Sequence, residues 1–302
     1  MRPPVTLTAL MTMALLLASV VGLQALRDQR SSLPLPPGAD SPVLYVQSGS
    51  VMKRAALSYD ALAADIYWMR ALQHFGQTKL SSAPGKRYDY LYPLLDLTTS
   101  LDPDFEVAYR FGAVFLAEEF PGGAGRPDLA ITLLEKGLAA RPDNWKYAQD
   151  IAFVHYWWGH DFGQAADWFT RASRLPDAPN WLAPMAAVTL TQGGNRASAR
   201  QLWTQVLNNA EADWLVDQAR FRLLQLDAMD QIDAIEARVK IFKARTGEWP
   251  RAWSNLIGVG LLQGVPVDPR TFPYELNPYW GTVGLAREST LNPLPAAALE
   301  LK

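Results

Sequence analysis

Apolar residues recur three and four positions apart along most of the chain between Ser58 and Ala244, which predicts a succession of amphipathic helices. The first is expected over Ser58–Phe75. There Leu62, Ile66, Met69, Leu72 and Phe75 form one stripe, and Gly76 is the expected stop. A second runs from Tyr88 to Leu101. Leu101-Asp102-Pro103-Asp104 separates it from a third over Phe105–Phe120, with Asp102 as the expected cap and Pro103 at the first helical position. Pro127–Ala140 follows with Ala130, Leu134 and Leu138 on one face, and it closes at Arg141-Pro142-Asp143. Two helical hairpins are then predicted, over Trp145–Arg174 and Trp181–Val206. Trp214–Leu226 and Ile232–Ala244 read as one more pair, stopped by Gly247. Pro121–Arg126 is a longer, glycine-rich loop between helices.

The chain outside this region has other patterns. From Pro3 to Leu26 there is no charged residue for 24 positions, more than the ~20 that cross a bilayer. Arg2 precedes the run and Arg27 and Arg30 follow it, so the flanking charges leave its orientation open. Ala18, Gly22 and Ala25 also permit a cleavable signal, but the length of the run favours an uncleaved anchor over residues 1–26. Both readings put the rest of the chain outside the cytoplasm. The expected location is a single pass through an inner membrane with the helices in the periplasm, or the periplasm itself after cleavage. Residues 27–57, rich in Pro and Ser at first, form an expected extended linker, with Val43–Val46 read as a short strand or an extended lead-in. Helical repeats occupy 58–246. Residues 247–302 are rich in Pro and Gly; only Arg251–Leu262 has a helical pattern, and Val265–Asn277 reads as turns laid over the last helices.

Composition narrows the function classes. At 49% hydrophobic and with 11 Trp, the 302-residue chain can build a sizeable core around large side chains. A net charge of −2 with dispersed basic residues gives no field for nucleic acid. The absence of cysteine rules out disulfides, thiolate metal sites, a cysteine nucleophile and a lipidated N-terminal cysteine.

The two central hairpins are in phase. Ala165 and Ala199, Phe169 and Trp203, and Ala172 and Val206 are each 34 residues apart. Ala130 precedes Ala165 by 35, and Ala234 follows Ala199 by 35. A small residue lets the two helices of a pair approach closely, and the bulky residue one turn on fills the gap to the next pair. This period and alternation resemble tetratricopeptide repeats. The resemblance implies an all-α fold, a right-handed superhelix of about five antiparallel helix pairs. The irregular C-terminal tail would cap it, since an array must cover its last apolar face. It also implies a concave groove lined by the first helix of each pair. Matching positions are Glu106, Tyr109, Ala113 and Leu116; then Tyr147, Asp150, Val154, Trp157 and Trp158; then Trp181, Pro184, Val188 and Gln192. Tyr109, Tyr147, Asp150, Trp157, Trp158 and Trp181 are the expected protein-binding residues, Trp and Tyr being the types that dominate interface energetics. For Trp157 and Trp158 a place in the inter-repeat core is the competing reading. Pro184 departs from the pattern and is expected to distort its helix. Pro266–Tyr274 also resembles a C-terminal loop of pilin-like proteins of type II secretion, although the early glutamate of their N-terminal helix is missing.

Reactive constellations are sparse. His155 and His160 are five apart, which does not stack them on one helix face as a metal pair would require; His74 is remote in sequence. Gly122, Gly123 and Gly125 lack the Lys-Ser/Thr of a phosphate loop. Glu118 and Glu119 are adjacent and diverge, and Asp102 and Asp104 suit caps. No catalytic residue, metal or cofactor is therefore expected. The expected function is a membrane-tethered scaffold for protein–protein interaction, an accessory or assembly subunit of a pilus, secretion or transport complex. The alternative is an integral structural subunit of a larger membrane complex. An enzyme with a groove site around Asp150 or His155 is the remaining reading.

Overall fold

A computed structural model describes residues 11–15, 18–23, 25–26, 49–82 and 85–295. The chain divides into two units, Met1–Tyr45 and Val46–Lys302. In the first, residues 11–15 and 18–23 are helical. Much of the predicted anchor and residues 27–48 of the linker lie outside the described residues. Among the described residues no helix is long and apolar enough to cross a membrane.

The second unit is all-α apart from short extended pieces near its end. Its helices are α1 (Gly49–Ala55), α2 (Asp60–Leu80), α3 (Leu91–Leu101), α4 (Glu106–Ala117), α5 (Pro127–Ala140), α6 (Trp145–Trp157), α7 (Phe162–Ser173), α8 (Leu182–Gln192), α9 (Arg196–Asn209), α10 (Asp213–Thr246) and α11 (Trp253–Gly258). The hairpins α2/α3, α4/α5, α6/α7 and α8/α9 pack internally, and each also packs on the next helix in sequence. Polar side chains hold the turns. Asn144 accepts from Lys146 N at 3.2 Å, Asp161 from Gln164 N at 2.9 Å and Asn195 from Ser198 N at 3.1 Å, each satisfying an orphan donor at a helix start. Gly194 takes φ +78° between α8 and α9, and Gly247 ends α10 at φ +84°.

The phased positions are core. Ala130, Ala165 and Ala199 are fully enclosed, and Phe169, Ala172, Trp203 and Val206 are buried. Side chains from neighbouring hairpins also bond to one another. Lys79 meets Glu118 39 residues on, Lys136 meets Asp96 40 residues back, and Tyr156 meets Gln192 36 residues on.

Several expected elements differ. α1 lies inside the stretch read as an extended linker. α2 runs on through Gly76 to Leu80, and its core face is Ala64, Tyr67, Ala71 and Phe75; Leu62, Ile66 and Met69 are exposed. α3 starts at Leu91 rather than Tyr88, and α4 ends at Ala117 rather than Phe120. Asp102 does not cap α4, whose cap position is Phe105. Its carboxylate accepts from Asp104 N at 2.9 Å, and Pro103 sits in that turn, outside the helix. Pro184 is the third residue of α8, where its missing N–H would have no intrahelical partner, so no distortion follows.

The largest difference is α10. The predicted fifth pair is one continuous helix of 34 residues, and Ala234 is exposed. No Gly or Pro interrupts it, and both halves are rich in helix formers. Its first half buries Leu215, Ala219 and Leu226 beside Ala199, Trp203 and Val206. Its second half buries Ile235 and Val239 against the tail residues Leu256, Leu262, Tyr274 and Val283. The tail contains α11 and a two-stranded antiparallel ribbon, β1 (Glu275–Leu276) and β2 (Val283–Gly284), with Glu275 opposite Gly284. Its bonds to α10 are specific: Tyr274 Oη donates to Gln231 Oε1 at 2.8 Å, and Gln225 Nε2 to Leu291 O at 2.8 Å. Buried Asp268 ties the tail together by accepting from Arg270 N, Phe272 N and Ser289 Oγ.

Candidate functional site

α4 is apolar on nearly every side, with Glu106 and Arg110 as its only charges. One face turns Ala108, Tyr109, Gly112 and Ala113 into the core, so its remaining apolar residues must face outward. Val107, Phe111 and Val114 do so, with Phe111 56% and Val114 44% exposed. α6 lies beside α4 and ends in aromatic residues, with Trp157 59% exposed. Between the two helices is a cleft of about 370 Å³, lined by Phe111, Val114, Phe153, Trp157 and Trp158, with Ala113 and Val154 also in its wall.

Charge is confined to one side and is paired. Arg110 grips Asp150 through Nε to Oδ2 at 2.6 Å and Nη2 to Oδ1 at 3.2 Å. Lys146 Nζ donates to Glu106 Oε1 at 2.8 Å, and Arg110 Nη1 lies 3.6 Å from the same oxygen. Basic and acidic groups thus alternate across the α4/α6 seam and fix the relation of the two helices. Burial pushes the Asp150 carboxyl up, an effect that its hydrogen bonds from Arg110 only partly offset. Those hydrogen bonds raise Arg110, against its own burial. At Glu106 desolvation is outweighed by the hydrogen bonds of Lys146 and Asn144, which leave it below its ordinary value.

The predicted protein-binding residues part into groups. Asp150, Trp157 and Trp158 meet in the cleft. Tyr109 and Tyr147 are fully buried with ring centres 5.2 Å apart, so neither offers surface to a partner. Both rings pack on Gly137: a Cβ there would lie 3.1 Å from each, close enough to push them by a few tenths of an ångström. Trp181 is exposed at the start of α8 and does not line the cleft. Of the other groove positions, Leu116 and Pro184 are core, Glu106 is in the ion chain, and Gln192 accepts from Tyr156 Oη at 2.7 Å. Sequence reasoning missed Arg110, Phe111, Val114 and Phe153. The available signal was the excess of apolar residues around α4, more than one buried face can absorb.

Other candidates are placed as follows. His155 and His74 are half-buried and pushed below the ordinary imidazole value by burial. His160 sits in the α6/α7 turn at φ +49°. The Gly122–Gly125 loop is closed by its own backbone, with Ala124 N donating to Phe115 O and Gly125 N to Glu118 O. Among the described residues no group of three His, Asp or Glu could hold a metal ion. The cleft brings no nucleophile and base together; it can take bulky apolar side chains. No family model, curated protein or solved structure matches the chain.

Proposed function

We propose that the chain is a scaffold whose helical hairpins stack as tetratricopeptide repeats do, and that its α4/α6 cleft docks a segment of another protein. The observation that carries this reading is the exposure of Phe111, Val114 and Trp157 around one cleft. Contiguous exposed apolar surface marks interaction sites, and aromatic anchors in pockets carry most binding energy. The lining also sets the chemistry of the partner. Arg110 and Asp150 satisfy each other, so the cleft favours an uncharged segment presenting bulky aliphatic or aromatic side chains. The repeat-length spacing of side-chain bonds between hairpins and the 34-residue phase of the buried Ala and Phe/Trp positions support the stacked array. In the same reading the uncharged run from Pro3 to Leu26 tethers the array at a membrane, as an accessory subunit of an envelope complex. No reaction is assigned to it.

Selection from a displayed random-peptide library tests the docking. The bait is the full chain, with counter-selection on the Phe111→Asp/Trp157→Asp variant. Selected peptides are expected to be neutral, to carry bulky apolar residues, and to lose at least about tenfold in affinity for the variant. Peptides that bind both baits equally would remove the cleft from the account. Alkaline extraction of native membranes tests the tether, which requires the chain to stay with the lipid; release into the wash counts against it.

A further inference from the structure

The cleft leaves one large apolar feature unexplained. On α2, Leu62, Ile66 and Met69 are each more than half exposed, as is Tyr59 at the cap of the helix. Their spacing is three, four, three, the a/d repeat of a coiled-coil seam. At about 100° per residue the stripe centres on the side of α2 opposite Ala64, Tyr67, Ala71 and Phe75, which pack into the core. α2 therefore carries two faces, one used within the chain and one with no partner among the described residues.

The flanks of the stripe are charged and of opposite sign. With Tyr59 and Ile66 at a and Leu62 and Met69 at d, Asp65 occupies g and Arg70 occupies e of the next heptad. Neither makes an ion pair among the described residues; Arg70 lies over the Tyr67 ring at 5.6 Å. In a parallel pair of helices, g of one strand faces e five residues on in the other, which sets Asp65 against Arg70 twice. In an antiparallel pair g faces g and e faces e, which sets like charges together. The seam then stops, because Gln73 and Gly76 take the next a and d positions. A membrane surface is a poorer occupant: a face that seeks lipid has a basic rim, and this rim is neutral.

We propose that two copies of this chain associate through α2, as a parallel pair with Tyr59, Leu62, Ile66 and Met69 at the seam and Asp65 of each copy facing Arg70 of the other. This surface is separate from the cleft and does not depend on what the cleft binds.

The absence of cysteine makes the test direct. In a parallel pair each a residue faces its own copy, so the full chain carrying Ile66→Cys, in detergent, should form a covalent dimer under mild oxidation. A cysteine at exposed Lys240 is the control for random collision. Adding Arg70→Asp should slow dimer formation about tenfold, and adding Asp65→Arg to that variant should restore it. The substituted positions face away from the core, so circular dichroism should be unchanged. No dimer from Ile66→Cys, or a dimer indifferent to the two charges, overturns the proposal. Ile66 protected by phosphatidylglycerol vesicles, with no dimer, would assign the face to lipid instead.

Discussion

Two tryptophans of the helical unit, Trp203 and Trp157, separate what holds it together from what it presents. Trp203 lies in α9, 34 residues after Phe169, and is buried among Ala166, Ala187, Leu190, Ala199, Leu215 and Ala219. The same cluster holds Val206 and Leu226, with Val188 and Met229 packed on it, so longer side chains as well as alanines surround the ring. A buried Trp removes some 150–250 Å² from water, about 4–6 kcal/mol as an upper bound at ~25 cal/mol per Å². Measured Trp→Ala costs in cores run at about 3–5 kcal/mol, which is the range expected for Trp203→Ala. For a unit of this size each kcal/mol shifts the midpoint by about 2–4 °C, so the variant should melt roughly 6–20 °C lower. Trp157 is 59% exposed, and Trp157→Ala should change stability by no more than about 1 kcal/mol. Urea unfolding of the full chain, followed by far-ultraviolet circular dichroism, reads both. Equal midpoints for the two variants would refute the idea that the phased bulky positions cement one hairpin to the next.

Three further outcomes follow from the same geometry. Gly281 holds φ +69° with its α-carbon against the Trp249 ring, so Gly281→Ala should release the tail. Hydrogen exchange should rise over 247–295 and stay unchanged in α4–α9; unchanged exchange in the tail contradicts this. Arg110→Ala leaves half-buried Asp150 with only Gln149 to bond and should cost about 1–3 kcal/mol, most of it recovered in Arg110→Ala/Asp150→Ala. A double variant no more stable than the single would show that Asp150 does not need its cation. Burial pushes Tyr109 up to about 12, and Tyr147 moves the same way. A folded pKa raised above the unfolded value gives stability that is complete below pH 10 and lost as pH rises through about 12. Alkaline titration should show tyrosinate absorbance and helix loss rising together in that window, less so in Tyr109→Phe/Tyr147→Phe; early tyrosinate in the intact fold would contradict the burial.

The sequence made the central hairpins legible because two signals coincided there. Helical spacing marked the elements, and the 34-residue phase of Ala165/Ala199 and Phe169/Trp203 marked their packing. Pro127–Ala140 could be bounded to the residue because Pro and Arg-Pro-Asp punctuate it. Where only spacing was available, it misled. The Leu62–Met69 stripe is the most apolar line on α2, yet the core took the face with Ala64 and Ala71, which admits α3 closely. α10 reads as two helices because its buried face changes partner midway, from α9 to the tail, while its backbone has no reason to stop. The cleft was legible in part. Asp150, Trp157 and Trp158 came from the groove positions, but Tyr109 and Tyr147 turn inward and pack on Gly137, twenty-eight and ten residues away in sequence. No pattern within α4 or α6 records that contact.

Docking in the α4/α6 cleft is tested most directly by a photo-crosslinking residue at Val114, compared with one at exposed Arg171, in the full chain mixed with a neutral apolar peptide obtained by selection. The account predicts an adduct at position 114, none at 171, and loss of the adduct when Phe111→Asp is added. Labelling at both positions alike, or an adduct at 114 that survives Phe111→Asp, would contradict it.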